Sequence, residues 1–283
     1  MFWSKILRFF SEDIAMDLGT ANTLLYTRDG GIIVNEPSVV AIDTRNNEVL
    51  AVGSEAKRAR GRTPKRIKTI RPMKSGVIAD FDTTSRMIVY FVNKAIGRSH
   101  LVKPSLVISV PTGITGVEKK AVIDAAATAG AGRVSLIEEP MAAAIGADLP
   151  VTEPVGTLIA DIGGGTSEVA VITMSAITVS QSIRIAGDAM NEILLRMLRD
   201  KYRLDVGENT AEHLKILLGS TQPVPDLPDY AEISGRDLVS GVPMTKKVTS
   251  EDVRLALKEP VEEIASAVMR VLEKTPPELA ADI

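Results

Sequence analysis

Ile14-Ala-Met-Asp17-Leu-Gly19-Thr20-Ala21-Asn22-Thr23 returns later in the chain as Thr157-Leu-Ile-Ala-Asp161-Ile-Gly163-Gly164-Gly165-Thr166-Ser-Glu-Val-Ala-Val-Ile172. Asp17 aligns with Asp161 and Gly19 with Gly163, at a separation of 144 residues. In the first copy Ile14 to Asp17 reads as a short buried strand, Leu18 to Asn22 as a turn, and Thr23 to Thr27 as the returning strand. Each copy is a hairpin that opens on an aspartate, so the chain is internally duplicated. Gly19-Thr20-Ala21-Asn22 and Gly163-Gly164-Gly165-Thr166 carry little side chain, which leaves their backbone N–H groups able to converge on phosphate oxygens. Asp17 and Asp161 stand just ahead of these loops, where carboxylates can hold the hydration shell of Mg²⁺. One Gly-rich turn reads as an ordinary hairpin, but two Asp-headed copies read as a clamp for one polyphosphate. The chain holds neither G-x-x-x-x-G-K-[ST] nor G-x-G-x-x-G, so phosphate charge must be offset by Mg²⁺ and backbone dipoles.

Outward from the hairpins the texture is β/α. A strand at Leu106 to Val110, a helix from Gly116 to Ala129, a strand at Val134 to Ile137 and a helix from Pro140 to Gly146 imply a mostly parallel sheet flanked by helices. The stretch Gly146 to Gly156, with Pro150 and Pro154, is the expected interdomain crossing. Then come a strand near Thr178 to Ile185, helices from Ala189 to Tyr202 and Thr210 to Leu218, a loop with Pro223, Pro225 and Pro228, and two helices starting at Ser250 and Pro260.

The 283 residues suit two domains of ordinary size, and 45% apolar with 24% charged residues excludes a disordered or collagen-like chain. Zero cysteines exclude disulfides and thiolate metal sites, and two histidines argue against a histidine-built one. A net charge of -3 provides no field for gripping nucleic acid, and no run of 18 apolar residues is present to span a bilayer. Residues Lys57 to Arg71 hold eight of the 33 lysines and arginines and no acid, leaving -11 on the rest of the chain (-3 minus 8). That stretch reads as either a solvated face or a contact for an acidic neighbour or phospholipid.

Four of the ten aromatic residues lie in the first ten positions. On a helical wheel Phe2, Trp3, Ile6, Leu7, Phe9 and Phe10 share one arc of about 160°, opposite Ser4, Lys5 and Arg8. This pattern suits the interface plane of an anionic bilayer; the other reading is a helix docked on the protein's own core.

Together the two loops resemble the actin, sugar kinase and heat-shock chaperone ATPase superfamily. Within it, Asn35-Glu-Pro-Ser-Val-Val-Ala41, Gly61-Arg-Thr-Pro64, Ile70-Arg-Pro-Met-Lys-Ser-Gly-Val-Ile-Ala-Asp80 and Glu138-Glu-Pro-Met-Ala-Ala-Ala-Ile-Gly146 are similar to the MreB family, the bacterial actins of rod-shaped cells. The similarity runs from about Asp13 to Ile283. It implies an actin-like α/β fold of two lobes, duplicated ribonuclease H-like five-stranded sheets with smaller inserts, and ATP in the cleft between the lobes. The implied boundaries are a membrane-binding segment at 1–12, subdomain IA at 13–34 and 72–147, IB at 35–71, IIA at 148–185 and 250–283, and IIB at 186–249. By the same resemblance Glu139 orients or activates the attacking water, Thr166 helps position it, and Glu212 and Lys215 contact the nucleoside sugar and base. Without the resemblance, Glu139 reads as a helix N-terminal charge, and Glu212 with Lys215 as an exposed intrahelical pair. Gly97 to Val102 sits where the family can carry a second membrane-touching loop.

The implied activity is slow ATP hydrolysis coupled to polymerisation. The implied assembly is a homopolymer of paired protofilaments on the inner face of the cell membrane, working with membrane proteins of the elongation machinery to organise wall synthesis and rod shape. A chaperone-type ATPase and a small-molecule kinase are the rival readings. The family continues past the equivalent of Ile283 into a strand and a glycine-rich adenine loop, whereas the last glycine here is Gly241, so an incomplete second lobe is expected.

Overall fold

Alternation of apolar and polar residues makes Asp13–Leu18 a strand (β1) with one face inward: Ile14, Met16 and Leu18 are buried and Asp13, Ala15 and Asp17 are not. β2 (Asn22–Thr27) returns antiparallel, with Asp17 opposite Leu24, and β3 (Gly31–Pro37) extends the ribbon. The computed structural model describes residues 13–96 and 103–283, so the aromatic N-terminal segment and the loop from Gly97 to Val102 lie outside the described residues.

A small sheet follows, β4 (Val40–Asp43) between β5 (Glu48–Val52) and β6 (Ile67–Ile70), closed by the helix α1 (Ser54–Ala59) over buried Val39, Ala41 and Ala56. β7 (Met73–Lys74) and β8 (Val77–Ile78) form a minimal hairpin whose two turn residues, Ser75 and Gly76, have φ of 50° and 76°. Positive φ at both central residues matches the twist of a two-residue hairpin, and Gly76 takes it without strain. The β/α part then runs α2 (Phe81–Ile96), β9 (Ser105–Val110), α3 (Gly116–Thr128), β10 (Arg133–Glu138) and α4 (Glu139–Gly146). Thr115 and Glu118 form a capping box that starts α3. The five-stranded sheet has the order β10-β9-β1-β2-β3, with β10, β9 and β1 parallel. Met87, Ile88 and Phe91 of α2 and Val122 of α3 pack on Ile14, Met16, Leu106 and Ile108 of this sheet.

The second hairpin gives β11 (Thr157–Ile162) and β12 (Ser167–Thr173), joined by β13 (Ala176–Ile183) in a three-stranded sheet. The resemblance implies five strands here. The chain instead leaves β13 directly into α5 (Gly187–Tyr202), and no other described strand joins this sheet. β12 is buried from Ser167 to Ile172, and on one of its two faces α4 supplies the cover through Ala144, packed with Ala170 and Ile172. The rest of the chain is β14 (Leu204–Asp205), α6 (Glu208–Leu218), the hairpin β15 (Tyr230–Asp237) and β16 (Pro243–Thr249), α7 (Ser250–Lys274) and α8 (Pro277–Ala280).

The two helices expected from Ser250 and Pro260 are one. Val253, Leu257, Pro260, Ile264, Ala267 and Val271 form a single buried stripe with spacings of three and four, and this in-phase burial outweighs the one backbone hydrogen bond a proline removes. The chain divides into two compact units, one holding everything described up to Ser182 together with 274–283, the other 183–273. The stretch from Gly146 to Gly156 lies within the first. The C-terminal residues are tied to that unit by Asp282, whose carboxylate accepts the Gly156 N–H at 2.8 Å. The second unit is built on Leu194, Leu198, Leu214, Ile233, Val248 and Leu257.

Candidate nucleotide and phosphate site

Because β10, β9 and β1 run parallel, their C-terminal ends fall on one edge of the sheet and bring Glu139, Ser109 and Asp17 to the same side. Ser109 donates its hydroxyl to Asp17 Oδ1 at 2.8 Å, which aims the carboxylate. Although the Asp17 side chain reaches solvent at the end of β1, the protein crowded around its carboxylate strips part of its hydration and raises its pKa, and the Ser109 bond offsets only part of that.

The two small-residue loops touch each other. A Cβ built on Gly164 would lie 2.4 Å from Ala21 Cβ, and one on Gly165 would lie 2.6 Å from Thr20 Oγ1, so only glycine allows this approach. Gly163 donates its N–H to the Thr166 carbonyl at 2.9 Å, closing the second loop. Thr20 and Thr166 are 5% and 8% exposed, so both residues are largely covered where the loops meet. The Gly76 N–H donates to Thr20 Oγ1 at 2.9 Å, and a Cβ on Gly76 would meet Thr166 Cγ2 at 3.2 Å. The β7–β8 turn is therefore a third loop of the site.

The first loop is pinned from outside. Ser38, fully buried, donates to the Gly19 carbonyl at 2.6 Å, shares a 2.9 Å bond with Thr23 Oγ1 and gives its N–H to the Ala21 carbonyl at 2.9 Å. In the same string Glu36 accepts from Ser54 N–H at 2.8 Å and from Lys94 Nζ at 2.6 Å. The strings Asn35–Ala41 and Ile70–Asp80 carry the family resemblance, and Ser38 and Gly76 are the parts of them that reach the site.

Four carboxylates share this region. Glu139, the first residue of α4, is pushed from the ordinary 4.5 to about 8, by burial first and then by the charges of Glu168, Asp17 and Asp161. Asp161 is raised by burial and by Asp17. Glu168 lies directly across from Asp161 in the β11–β12 register and is 1% exposed. Burial raises its pKa, while bonds from Thr112 and Ser182 pull it back. Glu168 was not among the residues expected from sequence. The duplication did hold a signal: shifted by 144 residues it corresponds to Leu24, so the residue facing the aspartate is apolar in one hairpin and acidic in the other.

The second unit places Glu212 and Lys215 on one side of α6, both half-buried, as their spacing requires. Lys215 Nζ donates to the Gly187 carbonyl at 2.9 Å, at the start of α5.

A family profile described as MreB/Mbl protein matches residues 11–283. The chain belongs to the MreB/Mbl family. It is 48% identical over 274 residues to the cell shape-determining protein Mbl of Bacillus cereus, covering 97% of this chain and 82% of that one. It is 47% identical over 284 residues to the cell shape-determining protein MreB of Escherichia coli K12, covering 99% and 82%. Its fold superposes on the crystal structures of Spiroplasma citri MreB5 bound to ADP and to AMPPNP, each with a TM-score of 0.91 and 35% identity, covering 96% of this chain and 82% of that one. The MreB/Mbl chain described here thus has the actin-like α/β fold, and the Asp-headed hairpins with their contacting loops are part of it.

Proposed function

We propose that this chain is an ATP-binding, slowly hydrolysing cytoskeletal protein that self-assembles into filaments at the membrane and organises wall synthesis in rod-shaped growth. The observation that carries the reading is the pair of Asp-headed loops in contact through Gly164 and Gly165, with Glu139 beside them, in a fold shared with a relative crystallised with ADP and AMPPNP. The names of the Mbl and MreB relatives supply the cell-shape role. The expected subdomain boundaries belong to the same proposal.

The donor set fits Mg²⁺ held through water. Asp17 and Asp161 offer hard oxygen ligands, and no three acidic or histidine side chains among the described residues converge to cage an ion directly. When bound, Mg²⁺ would offset phosphate charge. The chain's own residues do the rest: N–H groups of the Gly19–Asn22 and Gly163–Thr166 loops bind phosphate oxygens, and Thr166 and Glu139 orient the attacking water for in-line displacement. A Glu139 carboxyl at about 8 is largely protonated at neutral pH in the free protein, so it can both donate to and accept from a water molecule. Glu212 and Lys215 are assigned to the nucleoside.

Three measurements test this reading together: ATP affinity by titration, phosphate release over time, and sedimentation with and without ATP. ATP-dependent pelleting without an added acceptor supports the filament. Acceptor-dependent ATP consumption would favour a small-molecule kinase, and peptide-stimulated turnover without pelleting a chaperone. Membrane attachment is assigned to Phe2, Trp3, Ile6, Leu7, Phe9 and Phe10, and undiminished flotation with anionic liposomes after deletion of residues 2–10 would refute that assignment.

A further inference from the structure

Glu168 is the second residue of β12, between Ser167 and the apolar run Val169 to Ile172, and the residue is only 1% exposed. Such a group is stable only where hydrogen bonds replace its lost hydration. Those bonds reach two distant points of the same unit. The Thr112 backbone N–H donates to both carboxylate oxygens, at 3.0 and 3.2 Å, with the Thr112 hydroxyl further off at 3.4 Å. The Ser182 hydroxyl, at the end of β13 and the last residue of the first unit, also donates to it. Thr112 follows Pro111 at the exit of β9, and Pro111 packs on the Gly76 turn, where a Cβ on Gly76 would meet Pro111 Cγ at 2.7 Å. That turn in turn bonds Thr20 and abuts Thr166. Glu168 thus anchors a chain of contacts, Thr112 to Pro111 to Gly76, that ends on the hydroxyl-bearing residues of both phosphate loops.

Resting on the hydrolytic reading above, we infer that Glu168 is a positioning residue of this site, setting through Thr112, Pro111 and Gly76 where Thr20 and Thr166 stand relative to the phosphate and the attacking water. It acts through the pattern of its hydrogen bonds and touches neither substrate nor water. Its counterpart in the first hairpin, half-buried Leu24, has no side-chain acceptor to offer such donors. A reacting group displaced by about 1 Å loses on the order of 10²-fold in rate, while binding by many backbone N–H groups is much less sensitive.

The test uses the full chain with three variants: Glu168→Leu, Glu168→Gln and Ser182→Ala. AMPPNP affinity, ATP turnover and thermal melting are measured for each. Glu168→Leu fills the space but removes both acceptors, and is expected to lower kcat by at least about tenfold with AMPPNP Kd within about threefold. Gln retains an acceptor for the Thr112 N–H and can donate to Ser182 Oγ, so kcat should return to within about threefold of wild type. Ser182→Ala, at an exposed position, should lower kcat about two- to fivefold without altering Kd. Wild-type turnover in a folded Glu168→Leu variant overturns the inference. So does a fall in kcat and affinity that merely tracks lost folded protein, and so does a Gln variant as slow as Leu. Should Glu168→Leu fail to fold, unchanged kcat in Ser182→Ala decides against it. If the wild-type chain binds no AMPPNP, the nucleotide reading itself falls, which is a separate outcome read before any variant.

Discussion

Replacing Glu139 with glutamine should stabilise the nucleotide-free protein at alkaline pH and leave it unchanged at acid pH. The folded chain holds the Glu139 proton up to about 8, whereas an unfolded chain releases it near 4.5. Between those values the folded state binds more protons than the unfolded one, so stability falls as pH rises. At 1.36 kcal/mol per pH unit the ceiling is about 5 kcal/mol above pH 8. Glu139 is half-buried and solvent can relax around its charge, so about 2 kcal/mol is the expected realised part. Glutamine keeps the shape and the hydrogen-bonding reach without the charge. For a chain of this length 2 kcal/mol corresponds to about 3 °C in melting temperature. The assay is thermal melting of wild type and Glu139→Gln from pH 5 to 9 with nucleotide and divalent cations chelated away, since a bound cation would itself stabilise the carboxylate. Equal stability below pH 5, diverging to about 3 °C in the variant's favour by pH 8.5, is expected. A difference that does not vary with pH, or a variant less stable at pH 8.5, would refute the reasoning.

Other consequences follow from single contacts. Gly164→Ala places a methyl 2.4 Å from Ala21 Cβ, so the loops must part; a loss of about 1–3 kcal/mol in melting experiments is expected, with a weakened AMPPNP titration. Ser38→Ala removes the bonds that pin Gly19 and Thr23 and should destabilise by about 1–3 kcal/mol, with faster hydrogen exchange confined first to residues 18–24. Lys215→Met frees the Gly187 carbonyl and, on the assigned nucleoside contact, should raise the ATP dissociation constant about tenfold while melting shifts little; unchanged affinity would remove Lys215 from the site.

Local pattern was enough for the hairpins, the parallel strands and the Asp-loop pair. Alternation over Ile14 to Leu18 sets which face is buried, and glycine at Gly163 to Gly165 sets how closely backbone can approach, and both are properties of neighbouring residues. Pro260 misled because a local rule for helix ends competed with burial on both sides of it, which only the packed unit reveals. Ser38, Gly76 and Glu168 were missed for another reason. Their roles depend on partners 19, 56 and 56 residues away, brought together by the order of the sheet rather than by any spacing in the chain. The amino-acid sequence by itself determined the duplicated, aspartate-headed architecture and the chemistry available to it, because hydrophobic period and backbone freedom are local. Tertiary structure alone decided which buried hydroxyls, N–H groups and carboxylates satisfy one another, because burial forces each polar group to find a partner wherever the fold places one.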